Sequence, residues 1–392
     1  MRNLICLIAF TFLLFAAACI QRQEARDTIL PKTVSVKPID TTPVAKDTLC
    51  IAAVGDMMLG TSFPDSTYLP LDGGRSSFAP VKKYLLDAEF AFGNLEGTLL
   101  DKGNPGLNKR KFTTRQFYFR MPTTYTTIFK DAGFKLLSLA NNHSGDFADS
   151  GRMSTMRTLD NARINYAGLV VCPSVQFQIN GVKYGFCAFA PNSGTASIYD
   201  LKRAAQTISD LKQQCDIVIV SFHGGGEGPE FEHVPPGDEI YHGEPRGNVR
   251  AFAHNAINAG ADMVLGHGPH VSRAMELYNQ RLIAYSLGNF CTYKSVSIAG
   301  VCGIAPLLRV KINRKGEFIN AQIISTQQSR INGLSVDTLN RAAKRMKWLT
   351  EVDFQKNGLQ ITEDGSVTPI TNVDNSFTNV GRRDNRGAKS GF

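Results

Sequence analysis

From Leu49 onward the chain repeats one pattern: an amphipathic helical stretch, often a Gly, a short wholly apolar strand, then a polar cluster. Asp131-Ala-Gly-Phe leads into Lys135-Leu-Leu-Ser-Leu-Ala and on to Asn141-Asn-His; Asn258-Ala-Gly-Ala leads into Asp262-Met-Val-Leu and on to Gly266-His-Gly-Pro-His. Leu201 to Gln214 reads as a helix and Asp216 to Ser221 as a buried strand, followed by His223-Gly-Gly-Gly-Glu. Ile51 to Val54, Glu89 to Phe92 and Leu282 to Tyr285 read as strands ending in Gly55-Asp-Met-Met, Gly93-Asn-Leu-Glu and Ser286-Leu-Gly-Asn-Phe. A strand that is apolar at every position must be covered on both faces, and the alternating helices supply cover. The expectation is therefore an α/β fold, a sheet with helices on both faces, carrying its functional side chains on one sheet edge after the strands.

The flanks read differently. Leu307 to Ile312 and Phe318 to Ile324 form strands joined at Asn313-Arg-Lys-Gly, a hairpin pattern. Asp337 to Leu349 has Leu339, Ala342, Ala343, Met346 and Leu349 at helical spacing, with Asp337 as the expected cap. We expect one domain over residues 49–330, a C-terminal helix and extension over 331–370, and a polar, Gly/Arg-rich, disordered tail over 371–392.

At the other end, Leu4 to Ala18 is an apolar run behind Arg2 that closes on three alanines before Cys19. It falls short of the roughly 20 residues of a spanning helix and reads as an export signal over residues 1–18. Cys19 after the alanines resembles a lipobox cysteine, which becomes the acylated N-terminus of a lipoprotein; an ordinary signal cleaved near the same place is the other reading. Residues 19–48 are polar and read as a flexible tether. The protein is thus expected to be exported and anchored by lipid, facing the periplasm or cell surface. Of the remaining cysteines, Cys50, Cys172, Cys187, Cys215, Cys291 and Cys302, none forms a C-x-x-C pair, and most read as small buried hydrophobes.

The charge balance, 43 Lys+Arg against 34 Asp+Glu or +9, is too dilute to imply nucleic acid but suits an anionic substrate or surface. Asp56, Glu96, Asn142, His143, His223, His267 and His270 all follow strands. Carboxylates, a carboxamide and imidazoles without thiolate suit Zn, Mn or Fe. Any one of them alone reads more readily as a cap, turn former or hydrogen-bonded histidine. Together on one edge they would stay unsatisfied without a cation or dense hydrogen bonding.

Gly55-Asp-Met-Met-Leu-Gly, Gly93-Asn-Leu-Glu-Gly, Leu139-Ala-Asn-Asn-His, Ser221-Phe-His-Gly-Gly-Gly-Glu, Gly266-His-Gly-Pro-His-Val and Tyr285-Ser-Leu-Gly-Asn-Phe together resemble the CapA family of bacterial capsule and poly-γ-glutamate synthesis. That family is in turn similar to calcineurin-like metallophosphoesterases, and the resemblance covers roughly Leu49 to Ile324. It implies a layered metallophosphoesterase-like core binding one or two divalent ions. Asp56, Glu96, Asn142, His223 and His270 would be ligands and His143 the catalytic acid. Met58 stands where those enzymes carry a first His, Glu96 where they carry Asp, and Gly268 where many relatives carry His, leaving His267 as a substitute ligand. The implied activity is phosphoesterase-like hydrolysis in surface-polymer assembly, alongside capsule synthesis or export machinery. A non-catalytic polymer-binding or export role on the same fold is the alternative.

Lys102 to Arg120 holds six basic residues and no acid. Its centre, Lys109, Arg110, Lys111 and Arg115, is either a rim for an anionic polymer or phosphoester, or a solvated loop. Glu227 and Glu230 either touch substrate or line a loop, and His233, His242 and His254 read as solvated. If Cys19 carries the lipid, Cys19→Ala removes the protein from the membrane fraction or stalls its processing, read by fractionation and N-terminal mass. Unchanged fractionation and processing would exclude lipidation.

Overall fold

The computed structural model describes residues 47–106, 117–294 and 296–370, and the backbone of 37–38. The export signal, Cys19, most of the tether, the four central basic residues Lys109, Arg110, Lys111 and Arg115, and the tail lie outside the described residues. The first half of the fold runs β1 (Thr48–Met58), α1 (Lys82–Leu86), β2 (Phe90–Leu95), α2 (Thr126–Asp131), β3 (Phe134–Ser138), α3 (Ala148–Ala162) and β4 (Asn165–Ala167). A second run follows with β5 (Ser174–Ile179), β6 (Val182–Phe189), α4 (Leu201–Lys212), β7 (Ile217–His223), α5 (Val249–Asn258), β8 (Met263–His267), β9 (Met275–Tyr278) and β10 (Arg281–Ala284). The chain then returns through β11 (Asn289–Thr292), β12 (Ile304–Asn313), β13 (Phe318–Ser329), β14 (Gly333–Val336), α6 (Arg341–Asp353), β15 (Leu359–Ile361) and β16 (Ser366–Pro369).

These strands build two sheets. One has the order β15–β16–β13–β12–β1–β2–β3–β4, with β11 paired to β1 and β14 to β13. The other runs β5–β6–β7–β8–β10–β9, with residues 37–38 beside β5. The helix-linked strands are parallel, β1 to β4 in the first sheet and β6, β7, β8 and β10 in the second. The hairpin β12–β13 pairs antiparallel, and β12 lies antiparallel to β1. Residues 333–369 continue this first sheet.

Period-two alternation sorts each strand between two cores. Ile51 and Ala53 of β1 and Phe90 and Phe92 of β2 join Tyr184, Phe186, Ile217, Ile219, Met263 and Leu265 of the facing sheet in one buried cluster. The Phe90–Tyr184 and Phe92–Phe186 rings cross this interface with centroids 5.2 Å and 5.5 Å apart. The intervening Ala52, Val54 and Ala91 pack outward with Phe129 of α2 and Leu159 of α3. On the other side Val218, Val220 and Val264 pack outward with Ile208 of α4 and Phe252 of α5. The layers are therefore helix, sheet, sheet, helix. This keeps the layered α/β core but corrects the single sheet expected from the sequence: each sheet has helices on one face, and its other face is covered by the second sheet. Apolar periodicity shows that both faces are buried without showing what buries them.

Local chemistry sets the helix starts. Asp200 accepts from the Arg203 backbone N–H at 2.9 Å to cap α4, and Asn248 accepts from Ala251 at 2.9 Å to cap α5. The last helix begins four residues later than expected, at Arg341. Asp337 is buried and receives the Arg341 N–H at 2.9 Å from outside the helix, while Asn340 sits at φ 56° and Leu339 is exposed. Ala342, Ala343, Met346 and Leu349 are buried as their spacing required. Cys187, Cys215, Cys291 and Cys302 are buried, and burial pushes the Cys291 thiol up to about 12.

Gly55 lies where β1 passes the turn before β11. A Cβ there would come within 1.9 Å of the Gly288 carbonyl oxygen and 2.4 Å of that of Leu287. Neither backbone oxygen can swing aside, so Gly55→Ala is expected to destabilise the fold by about 3 kcal/mol, read as a shifted urea midpoint. An unshifted midpoint would contradict this close approach.

Candidate metal centre

The strand ends bring side chains of both sheets together. Asp56, near the end of β1, is fully buried. Its Oδ1 accepts from Asn94 Nδ2 at 2.8 Å, its Oδ2 lies 3.0 Å from His270 Nδ1, and His267 Nδ1 stands 3.4 Å from Oδ1. Glu96 follows β2, with Oε1 3.5 Å from His270 Nε2 and 4.0 Å from His143 Nε2. One ligand atom from each of Asp56, Glu96 and His270 falls within a 4.8 Å group. His223 closes β7 and its ring centroid is 6.3 Å from that of His270.

What these atoms lack is as informative as what they touch. Among the described residues, both ring nitrogens of the buried His223, both of the buried His267, Glu96 Oε1 and Asn142 Oδ1 have no hydrogen-bond partner. Buried polar atoms without partners are destabilising by about 1–3 kcal/mol each, so several in one place call for a ligand. A divalent cation fits: the set offers imidazole nitrogens and carboxylate and amide oxygens, and no thiolate. Asp56, Glu96 and His270 would hold it, with His223, His267 and Asn142 as further donors.

Electrostatics point the same way. Burial, then the negative charge of Asp56, pushes the Glu96 carboxyl up to about 8. Burial would raise Asp56 too, but the imidazoles of His267 and His270 against it outweigh burial and hold the carboxylate well below its usual range. Burial opposes a charge on His270, yet Glu96 and then Asp56 raise it to about 10. Burial, followed by the charge of Arg246, keeps His223 well below the usual imidazole range and so neutral. A neutral, desolvated imidazole presents a lone pair.

His143 stands at the rim. Its Nδ1 is 3.0 Å from Asp146 Oδ2, and its ring stacks on Phe119 with centroids 4.0 Å apart. Asp146 also accepts the Phe119 N–H at 2.6 Å. Asn141, unlike its neighbour Asn142, is a structural tie: it donates to Asn94 Oδ1 and to the Leu95 carbonyl, and accepts the His143 N–H.

The expectation of one sheet edge is corrected here. Asp56, Glu96, Asn142 and His143 belong to the first sheet, His223, His267 and His270 to the second, and the site lies where their strand ends meet. Gly268 has no room for a larger residue, since it sits at φ 118° and a Cβ would approach the Gly224 oxygen at 2.6 Å. One of the solvated histidines is also corrected: His254 is half-buried, bonds Glu276 at 2.8 Å and stacks on Tyr278. His233 and His242 are exposed, His233 also pairing with Asp353 at 2.6 Å. Glu227 pairs with Arg246 at 2.9 Å. Asn94, Asn289, Asp146 and Arg246 went unassigned. Asn94 and Asn289, whose Oδ1 lies 3.1 Å from His270 Nδ1, were visible inside their motifs, and Asp146 at three residues past His143; no local pattern marks Arg246.

The sequence profile described as bacterial capsule synthesis protein PGA_cap matches residues 50–294. The chain belongs to that family. It is similar to the capsule biosynthesis protein CapA of Bacillus anthracis, 28% identical over 297 residues covering 71% of this chain and 65% of the relative. It is also similar to the PGA biosynthesis protein CapA of Bacillus subtilis strain 168, 28% identical over 260 residues covering 62% of this chain and 63% of that one. The match thus spans just under two thirds of either relative. Among solved structures, the purple acid phosphatase PPD1 of yellow lupin seeds overlays 74% of this chain and 53% of its own at TM-score 0.36 and 8% identity, a likeness too remote to bear on the chemistry.

Glu96 and His270 are both raised and would give up protons on ligating, so metal affinity of this PGA_cap protein should rise as pH rises through about 8. At pH 7, uptake of Mn²⁺ should release protons, measured by calorimetry in buffers of different ionisation heat. In the same titration Asp56→Asn and His223→Ala should each weaken uptake at least about tenfold, while His242→Ala binds as the parent does. Full occupancy in both site variants would exclude this centre.

Proposed function

We propose that this PGA_cap chain is a metal-dependent hydrolase, phosphoesterase-like in chemistry, acting in capsule or poly-γ-glutamate-type surface-polymer assembly. The observation that carries this is the set of buried atoms without hydrogen-bond partners on His223, His267 and Glu96, gathered around the Asp56–His270 pair. A bound Mn, Fe or Zn ion would polarise the scissile group and lower the pKa of a water. The chain's own residues supply the rest. Asp56 and Glu96 bring negative charge to a water-excluded place, where it acts more strongly than in solvent. His143 is oriented by Asp146 and Phe119 so that Nε2 faces the Glu96 side, and donates a proton to the leaving group. Asp146 stabilises the protonated imidazole.

The same reading places the protein outside the cytoplasm, tethered through Cys19, and working beside capsule synthesis or export machinery. Among the described residues no helix is long and apolar enough to cross a membrane. In this reading the anchor is the lipid on Cys19. The basic residues Lys109, Arg110, Lys111 and Arg115 are proposed to attract the anionic polymer or phosphoester.

The test is metal analysis of the purified chain, followed by a screen of phosphoester and γ-glutamyl substrates with and without chelator. We expect stoichiometric metal, chelator-sensitive turnover, and a loss of about 10²–10⁴-fold in kcat for His143→Ala with metal retained. Metal-free protein that still binds the polymer would replace this reading with the non-catalytic polymer-binding role.

A further inference from the structure

Arg246 is among the largest fully buried side chains of the molecule, at 1% exposure. It belongs to a short hairpin, Glu239–Tyr241 with Glu244–Gly247, that closes over the glycine loop after β7. The loop is pinned from several sides. Gly225 N–H donates to the Arg246 carbonyl at 3.0 Å, Arg246 Nε donates to the Gly225 carbonyl at 3.1 Å, and Gly226 N–H donates to Glu239 at 3.0 Å. Arg273 in turn holds Glu239 through two bonds of 2.8 Å and 2.7 Å. Gly228 N–H reaches the Pro269 carbonyl at 2.9 Å, which ties the loop to the residue before His270.

This frame fixes the Arg246 guanidinium beside the metal centre. Its charge is the strongest influence on His223 after burial, and the charge of Glu227 bears on both Glu96 and His270. Neither terminal nitrogen of the fork makes a hydrogen bond among the described residues, and only one has an ion-pair partner. Nη2 stands 2.9 Å from Glu227 Oε1, and Nη1 is buried with no hydrogen-bond partner among the described residues. A guanidinium is built for two parallel bonds to a two-oxygen anion, and leaving a buried charged donor unfilled is costly. Arg273 shows what a structural arginine in this molecule looks like, with both terminal nitrogens on one carboxylate.

We propose that Arg246 is the receptor for a carboxylate or phosphoryl oxyanion of the substrate, and that Glu227 is an internal carboxylate latch which the incoming anion displaces. The inference rests on the hydrolase reading of the same site and adds to it the anchoring group of the substrate. Glu227 follows three glycines and precedes Gly228, and its side chain is 15% exposed, so it has a path to solvent when displaced.

The test titrates inorganic phosphate and, separately, N-acetylglutamate into the full chain at constant ionic strength, both metal-loaded and chelator-treated, with metal content measured in every variant. Glu227→Gln removes the internal competitor and should raise affinity for at least one anion threefold or more. Arg246→Lys should lower it at least tenfold. Which anion responds identifies the source of the oxyanion, phosphoester or glutamyl polymer. Unchanged or lowered affinity in Glu227→Gln overturns the proposal, and that variant carries the test alone if Arg246→Lys does not fold. A parent chain without metal would sink the hydrolase reading while the chelator-treated titration still decides the role of Arg246.

Discussion

The central strands have no solvent face. Ile51, Ala53, Phe90 and Phe92 face the opposing sheet while Ala52, Val54 and Ala91 face the outer helices, so polar side chains are excluded along the strands and appear where they end. The parallel strands of each sheet end on the same side, and packing the sheets face to face sets two rows of strand ends beside each other. Asp56 and Glu96 from one row therefore meet His223, His267 and His270 from the other. The meeting of these five side chains follows from that double burial.

Burial also sets the chemistry. A carboxylate removed from water has to find compensation, and Asp56 finds it in Asn94, His270 and His267. Glu96 lacks enough of it and is raised. Among the described residues the ring nitrogens of His223 and His267 have no hydrogen-bond partner, His267 having only its 3.4 Å approach to Asp56. Such an arrangement is strained as a purely structural core and consistent as a cation site, where the same lone pairs become ligands. The rim differs in kind, because the His143 ring is held by Asp146 and stacked on Phe119.

A second layer of polar residues holds the loops that carry these groups. Arg273 and Glu239 clamp the hairpin over the glycine loop, and Asn141 ties the His143 turn to Asn94 and Leu95. Precision at a site of this kind depends on such support. Membership of the PGA_cap family fits the placement of its motifs at this one place, since residues 50–294 contain every side chain of the cluster.

Much of this was legible in the chain itself. Short apolar runs followed by Asp56, Glu96, Asn142-His143, His223 and His267 to His270 already implied buried parallel strands with a ligand set at their ends, because strand periodicity and residue chemistry are local properties. Helices α4 and α5 were announced by Leu201 to Gln214 and by the run before Asn258, although α6 started late because the buried Asp337 caps it from outside. Three things only the tertiary structure decided. The number of sheets was hidden, since an apolar residue reads the same against a helix or another sheet. The distinction between Asn141, a structural tie, and Asn142, whose buried Oδ1 has no hydrogen-bond partner among the described residues, depends on partners such as Asn94, 47 residues away. Arg246 has no local signature at all, and its position beside His223 exists only because a hairpin folds back over the glycine loop.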